Sequence, residues 1–184
     1  MSRRRLFVAA RLPEALLPTL QAAQDILADK SRVLRLAGAD SLHLTLRFIG
    51  EVEEELASRI VTLFKSLRPP APEDCRLAVS GYGFFPGRDG RLVWASLACG
   101  DGFYRFRDEV QNGLAGLGLA PDLRPLLPHV TLARKATFDL SFPELELLLP
   151  RPAQLFQARD FVLFESFFQP EGTRYEPLAA LRAE

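Results

Sequence analysis

Apolar and polar positions recur along the first part of the chain in patterns typical of two kinds of element. Alternation predicts strands, because successive side chains of a strand point to opposite faces, and a period near 3.6 residues predicts helices. The patterns predict a strand, a helix, two strands and a helix, in that order: Arg5–Leu12, Glu14–Leu27, Arg32–Leu36, His43–Ile49 and Glu51–Leu67. Glutamates crowd the first turn of the last helix, which favours that assignment because anionic side chains stabilise a helix N-terminus.

The second part of the chain continues the mixture of elements. The patterns predict a hairpin of two strands, a helix, a strand that begins at the second histidine, and two closing segments: Cys75–Phe84 with Arg91–Cys99, Phe103–Leu117, His129 onward, Phe156–Phe168 and Tyr175–Leu181. Apolar side chains on both faces of Phe161–Phe168 predict a strand that is covered on both sides. Because no simple βα alternation runs through the chain, we expect an α+β fold with largely antiparallel sheet, in a single domain over residues 1–184.

Composition and charge narrow the classes of protein. The chain has 184 residues, enough to bury a sizeable core, and its 23 basic and 23 acidic side chains give a net charge of zero. That neutrality argues against a protein that coats long nucleic acids, although a short charged ligand or a chain end remains compatible. No apolar run approaches the roughly eighteen residues that a membrane-spanning helix needs, and no secretory signal is predicted. We therefore expect a cytoplasmic protein that does not bind membranes.

The two histidines of the chain have the same neighbours. His43 begins His-Leu-Thr-Leu and His129 begins His-Val-Thr-Leu, 86 positions later. Threonine occurs only six times, so two such matches are expected by chance about once in a thousand. If both segments are strands, each histidine shares a face with its own threonine, Thr45 or Thr131, and the same count places Arg47 beside His43 and Thr45.

Two imidazoles and two hydroxyls suit phosphodiester chemistry without a metal. A neutral imidazole can take a proton from an attacking water, and an imidazolium can protonate the departing oxygen. Histidine, with an ordinary pKa near 6.5, holds both protonation states near neutral pH. A zinc site would need a third protein ligand, and neither His-Glu-x-x-His nor Cys-x-x-Cys spacing is present. The sequence predicts neither a metal nor a cofactor.

At these two motifs and in several further segments, the sequence resembles the 2H phosphoesterase superfamily, specifically the RNA 2′,3′-cyclic phosphodiesterases that are also called 2′-5′ RNA ligases. The segments that carry the resemblance are Arg5–Ala9 with Leu12–Pro13, His43–Glu51, Pro128–Arg134, Phe164–Ser166 and Gly172–Glu176. The resemblance implies a bilobal α+β fold in which two similar halves, each with a small antiparallel sheet and outer helices, face each other across a cleft. Each half would contribute one His-x-Thr strand.

The resemblance also implies roles for particular residues. His43 would be the proton donor to the leaving 3′ oxygen, and His129 the proton acceptor that activates water. Thr45 and Thr131 would donate hydrogen bonds to the phosphate, and Arg134 matches a position near the substrate. Strict alternation puts Arg134 on the face opposite His129, so this role requires the strand to bend or end before it.

Three functions remain open from the sequence. The first is metal-independent hydrolysis of 2′,3′-cyclic phosphate ends of RNA or nucleotides to 2′-phosphomonoesters, by a monomer that needs no protein partner. The reverse reaction, ATP-independent 2′-5′ joining of RNA ends, would use the same acid and base. A non-catalytic nucleotide-binding or RNA-binding module is the third.

Other side chains are weaker candidates for substrate contacts. Arg3–Arg5 is predicted to be a solvated basic run, and one unidentified aromatic side chain is expected to hold a base.

Overall fold

In the computed structural model, which describes residues 3–169 and 172–184, the chain forms nine strands and four α-helices. The strands are β1 Arg3–Arg11, β2 Ser31–Leu36, β3 His43–Glu53, β4 Arg76–Phe85, β5 Arg91–Cys99, β6 His129–Phe138, β7 Phe156–Gln157, β8 Asp160–Gln169 and β9 Gly172–Arg182. The helices are α1 Leu17–Lys30, α2 Glu54–Ser66, α3 Asp101–Gly116 and α4 Phe142–Leu148. Within the described ranges, no helix is long and apolar enough to cross a membrane.

The strands form two antiparallel sheets, so the predicted α+β class is confirmed. The first sheet has the order β3-β1-β8-β9 and the second has the order β2-β6-β5-β4-β7. The first sheet thus takes strands from both ends of the chain. Helix α1 follows β1 of the first sheet but packs on β2 and β6 of the second, whereas α2 packs on β1, β3 and β9 of the first. The two lobes are therefore not consecutive halves of the sequence.

One continuous apolar core connects the two sheets. It contains buried side chains from both sheets and from the helices, such as Leu44 in β3, Leu132 in β6, Leu20 in α1, Ile60 in α2 and Phe161 in β8. A small second cluster packs Phe7, Ala9, Val162 and Phe164 together, with Tyr175 against them. Because the sheets share the large cluster, neither lobe buries its apolar face alone.

The second half of β8 departs from the sequence prediction. Phe161–Glu165 is buried on both faces, as expected, but Phe167 is 36% and Phe168 71% exposed. The expectation of a strand covered on both sides is wrong beyond Glu165, because here β8 pairs only with β9 in a hairpin that extends past the core.

The predicted start of the second helix is also wrong. Strand β3 continues to Glu53 and α2 begins at Glu54, because β1 extends far enough to pair with this segment. Arg3 lies opposite Glu53, and its guanidinium Nε is 3.1 Å from the Glu53 carboxylate. Charge complementarity between β1 and β3 therefore explains the acidic residues that the sequence pattern assigned to the start of the helix.

Helix α4 was not predicted, although its sequence carries a start signal. The backbone N–H and the hydroxyl of Ser141 both donate to the Glu144 carboxylate, at 2.9 and 2.6 Å. This Ser-x-x-Glu arrangement is a capping box, which stabilises the first turn of a short helix.

Candidate active site

A cleft of about 850 Å³ opens between the two sheets. Its walls come from β1 and β3, from β6, from the β8–β9 hairpin and from the segment 35–41 that leads out of β2. The lining includes both sequence motifs together, namely His43, Thr45, His129 and Thr131, as well as Arg134. Residues that lie 86 positions apart in the sequence therefore face one space.

Each motif strand carries a β-bulge directly after its threonine. In the β1–β3 pairing the register skips Leu46, and in the β5–β6 pairing it skips Leu132. The two bulges follow Thr45 and Thr131, so they occupy the same place in the two motifs. An extra residue in a strand reverses which side chains face each side from that point on.

This reversal brings Arg134 into the cleft. Alternation alone would have turned it away from His129, but the bulge at Leu132 turns it back, and Arg134 lines the cleft. The equivalent position of the first motif, five residues after His43, is Phe48, and Phe48 also lines the cleft, with 53% of its surface exposed. The two motifs thus present an arginine and a phenylalanine at matching places.

The corresponding bulge in β3, at Leu46, turns Arg47 away from its predicted position. The expectation that Arg47 shares the face of His43 and Thr45 is wrong, because the bulge at Leu46 lies between them. Its guanidinium donates to the carbonyl of Phe48 at 2.6 Å and to the carbonyl of Ala120 at 2.7 Å. The side chain is only 10% exposed and lies 3.6 Å from the Asp122 carboxylate. Arg47 therefore holds the loop after α3, outside the cleft lining.

His43 lies against an aromatic wall. Its ring centroid is 5.0 Å from that of Phe7 and 5.1 Å from that of Tyr175, which meets it edge-on. Burial lowers the pKa of His43 from 6.5 to about 4, although a hydrogen bond to the Ser41 backbone favours the charged form. The positive charge of Arg134 also lowers this pKa. This lowered pKa favours the neutral form of His43 at pH 7.

His129 has a fixed orientation. Its Nδ1 is 2.7 Å from the carbonyl oxygen of Leu127, two residues earlier in the chain. A neutral ring in this position donates from Nδ1–H and leaves Nε2 as an acceptor. The ring packs edge-on against Phe85 at 5.7 Å and lies 5.8 Å from Trp94. Hydrogen bonding and packing together hold the ring in an orientation suited to accepting a proton.

The position of Trp94 next to His129 depends on Gly83. The six-membered part of the indole lies over Gly83, where an added Cβ would come within 2.3 Å of the ring. Gly83 and Trp94 are direct partners across the β4–β5 pairing. A side chain at Gly83 would therefore displace the indole that supports His129.

The charge of the cleft differs from that of the whole chain. Its lining contains four arginines and one carboxylate, namely Arg5, Arg35, Arg134, Arg174 and Asp40. Arg3 and Arg5 are exposed, as expected for a solvated run, although Arg5 also lines the cleft. The expectation is wrong for Arg4, which is half-buried and forms ion pairs with Glu54 and Glu165. Clefts lined by one sign of charge attract the opposite sign even when the net charge is zero. The site is suited to an anion.

Sequence reasoning missed several residues of this cleft, among them Phe48, Arg35 and Arg5. Phe48 had a signal, since it stands at the same distance from His43 as Arg134 does from His129. Arg35 reaches the cleft only because β2 pairs with β6, where Arg35 lies opposite Arg134. Arg5 reaches it because β1 lies beside β3. These two placements depend on sheet order, which no local pattern shows.

The part of the chain that the structure describes contains no group of three or more histidine, cysteine or acidic side chains placed to hold a metal ion.

Together, the fold and the site define a two-histidine α+β protein with a basic cleft between two sheets. The 2′-5′ RNA ligase superfamily matches residues 12–166, and the chain belongs to this superfamily. An RNA 2′,3′-cyclic phosphodiesterase of Thermus thermophilus is 32% identical over 98% of this chain and 91% of its own length. The enzyme of that name from Aeropyrum pernix is 38% identical over 113 residues, which are 60% of this chain and 62% of that protein.

Solved structures agree with this assignment. A crystal structure of a Thermus thermophilus protein has a TM-score of 0.79 and 28% identity, and the match covers 97% of each chain. Escherichia coli LigT in complex with 3′-AMP has a TM-score of 0.72 and 26% identity, and here the match covers 99% of each chain.

Proposed function

We propose that this protein is a phosphodiesterase that hydrolyses 2′,3′-cyclic phosphate ends of RNA or nucleotides to 2′-phosphomonoesters without a metal. The observation that carries the proposal is the meeting of two His-x-Thr strands in one basic cleft. The names of the relatives support this substrate, and the complex of LigT with 3′-AMP supports nucleotide binding by this fold.

His129 acts as the general base in this proposal. Its Nε2 accepts a proton from a water molecule, and the water oxygen forms a new bond to phosphorus. The carbonyl of Leu127 accepts a hydrogen bond from Nδ1 and so stabilises the imidazolium that results. The bond between phosphorus and the 3′ oxygen breaks as the new bond forms.

His43 acts as the general acid that gives a proton to the departing 3′ oxygen. A pKa of about 4 makes its imidazolium a strong acid, but it also leaves the ring neutral at pH 7 before substrate binds. A bound phosphate anion favours the charged ring and raises this pKa. Substrate binding would therefore charge the acid that the reaction needs.

The remaining groups of the cleft stabilise the phosphoryl oxygens. The hydroxyls of Thr45 and Thr131 donate hydrogen bonds to the two non-bridging oxygens, one from each wall. Arg134 supplies positive charge where negative charge grows in the transition state. Because one chain forms the described lining and the core runs through both lobes, we propose that residues 1–184 act as a single domain and as a monomer.

The test incubates purified protein with adenosine 2′,3′-cyclic phosphate in the presence of EDTA. We expect 2′-AMP as the product, and losses of kcat on the order of 10²–10⁴-fold in His43→Ala and in His129→Ala. Arg32→Ala, on the outside of β2, is the control and should retain full activity. Release of 3′-AMP, loss of activity with EDTA, or full activity of either histidine variant would contradict the proposal.

A further inference from the structure

Three arginines of the cleft have no carboxylate partner among the described residues. They are Arg5, Arg35 and Arg134, whereas the fourth cleft arginine, Arg174, pairs with Glu176. Arg134 has a role in the proposed function, at the phosphate that reacts. Arg5 and Arg35 are two further cations for which that reaction has no use.

Arg35 has the more unusual surroundings. It lies opposite Arg134 in the β2–β6 pairing, so the two backbones are about 5 Å apart. Its Nη2 atom is buried and has no hydrogen-bond partner within the described part of the chain. A buried cationic donor without an acceptor destabilises the protein, and an anionic ligand at this point would satisfy it.

The opposite wall leaves room for this guanidinium. Arg35 reaches across the cleft to the start of β9, where a Cβ on Gly172 would lie 2.9 Å from Nη2. Gly172 has a φ of +154°, which residues with a side chain rarely adopt. Glycine at this position therefore lets the Arg35 guanidinium approach the start of β9 closely.

Arg5 lies in the same cleft on a platform made by the exposed part of β8. Its guanidinium stacks on the ring of Phe168 at 4.6 Å from the centroid. Stacking uses the face of the guanidinium and leaves the N–H groups at its edge free to bind phosphate oxygens. Phe168 is itself 71% exposed, so the platform is accessible.

We infer that Arg35 and Arg5 form a second phosphate subsite, which binds the phosphate on the 5′ side of the nucleotide that carries the cyclic phosphate. The inference rests on the proposed function and extends it from the reacting phosphate to the chain that precedes it. The preferred substrate is then the 3′ end of an RNA of at least two nucleotides. A protein with zero net charge can bind such an end because four arginines and only one carboxylate line the cleft.

The test compares three substrates: adenosine 2′,3′-cyclic phosphate (A>p), the same compound with a 5′-phosphate (pA>p), and the dinucleotide ApA>p. In the unaltered protein, kcat/KM should be at least about tenfold higher for ApA>p than for A>p. This is the effect expected from one charge-assisted hydrogen bond between Arg35 and the internucleotide phosphate. Arg35→Gln should remove this advantage and change A>p turnover less than about twofold. Retained A>p turnover also shows that the variant is folded.

Arg32→Gln is the matched control, because Arg32 lies on the same strand but is exposed and pairs with Asp139. It should leave all three rates unchanged. Replacing the internucleotide phosphate of ApA>p by a neutral methylphosphonate should lower kcat/KM to the level of A>p. Equal rates for ApA>p and A>p, or equal losses on both in Arg35→Gln, would overturn the subsite. An advantage confined to pA>p would overturn the assignment to RNA.

Binding separates this inference from the proposed reaction. Calorimetry with the dinucleotide that ends in a 2′-phosphate, and with 2′-AMP, measures the subsite without turnover. We expect tighter binding of the dinucleotide and loss of that difference in Arg35→Gln. If no cyclic phosphate is hydrolysed but this difference persists, the proposed hydrolysis fails and the subsite stands; equal affinities would refute the subsite itself.

Discussion

His43 combines two properties at the scale of a single residue. It is buried against aromatic rings, which lowers its pKa to about 4, and it faces the positive charge of Arg134. The pKa of histidine in an unfolded chain is about 6.5. At pH values between 4 and 6.5, His43 binds a proton in the unfolded chain but not in the folded protein. The free energy of unfolding therefore falls as the pH falls from 6.5 to 4.

The variant His43→Gln tests this linkage, because glutamine has a similar size and does not titrate. The difference in free energy of unfolding, unaltered protein minus variant, should decrease by about 1–3 kcal/mol between pH 7.5 and pH 4. Urea unfolding of both proteins at each pH gives this difference, in which other titrating groups cancel. A difference that stays constant with pH would show that the His43 pKa is not lowered.

Arg47 and Arg134 can be compared at the same scale, since each follows a His-x-Thr motif, four and five residues after its histidine, and only Arg134 lines the cleft. Arg134→Gln should lower kcat/KM for a cyclic phosphate by about 10–100-fold with little change in stability, because its charge is lost from the site. Arg47→Gln should instead lower the free energy of unfolding by about 1–3 kcal/mol, because two carbonyls lose a buried donor.

Steady-state kinetics and urea unfolding on the same two preparations decide between these roles. The opposite result, slow turnover in the Arg47 variant and lowered stability in the Arg134 variant, would show that Arg47 contacts the substrate and that Arg134 has a structural role.

At the scale of elements, the bulges explain what the sequence could predict of the site. His43 with Thr45, and His129 with Thr131, precede their bulges, so simple alternation places them correctly. Positions after the bulge cannot be placed by counting, which is why the predicted face of Arg47 is wrong. A bulge adds a residue without a distinctive side chain, as the leucines at both sites show, and it becomes visible only in the pairing register.

The β4–β5 hairpin supports His129 through the contact between Gly83 and Trp94. Gly83→Ala would force the added methyl group against the indole, so we expect the free energy of unfolding to fall by about 1–3 kcal/mol. The indole would also shift behind His129, and kcat should fall more than KM changes. Gly116→Ala is the control, because an added Cβ there meets nothing within 4 Å. Equal activity and stability of both variants would contradict the supporting role of Trp94.

At the scale of the whole molecule, the order of strands carries the information that local patterns lack. The type of nearly every element follows from periodicity, but Arg35 meets Arg134 only because α1 crosses from the first sheet to the second. This crossing brings side chains from distant segments to one cleft. Sheet order depends on how the apolar faces of all elements pack together, which is a property of the complete chain.

The interlaced lobes also predict how the protein unfolds. The first sheet takes strands from both ends of the chain, and one apolar core joins it to the second sheet, so neither lobe can keep its core when the other opens. We expect a single urea transition with coincident midpoints for Trp94 fluorescence, which reports on the second sheet, and for far-ultraviolet circular dichroism. Native-state hydrogen exchange should give about the same opening free energy for core amides of β1 and β5. Separate midpoints, or a much lower opening free energy for the core amides of β1 than for those of β5, would show that the lobes unfold independently despite their shared core.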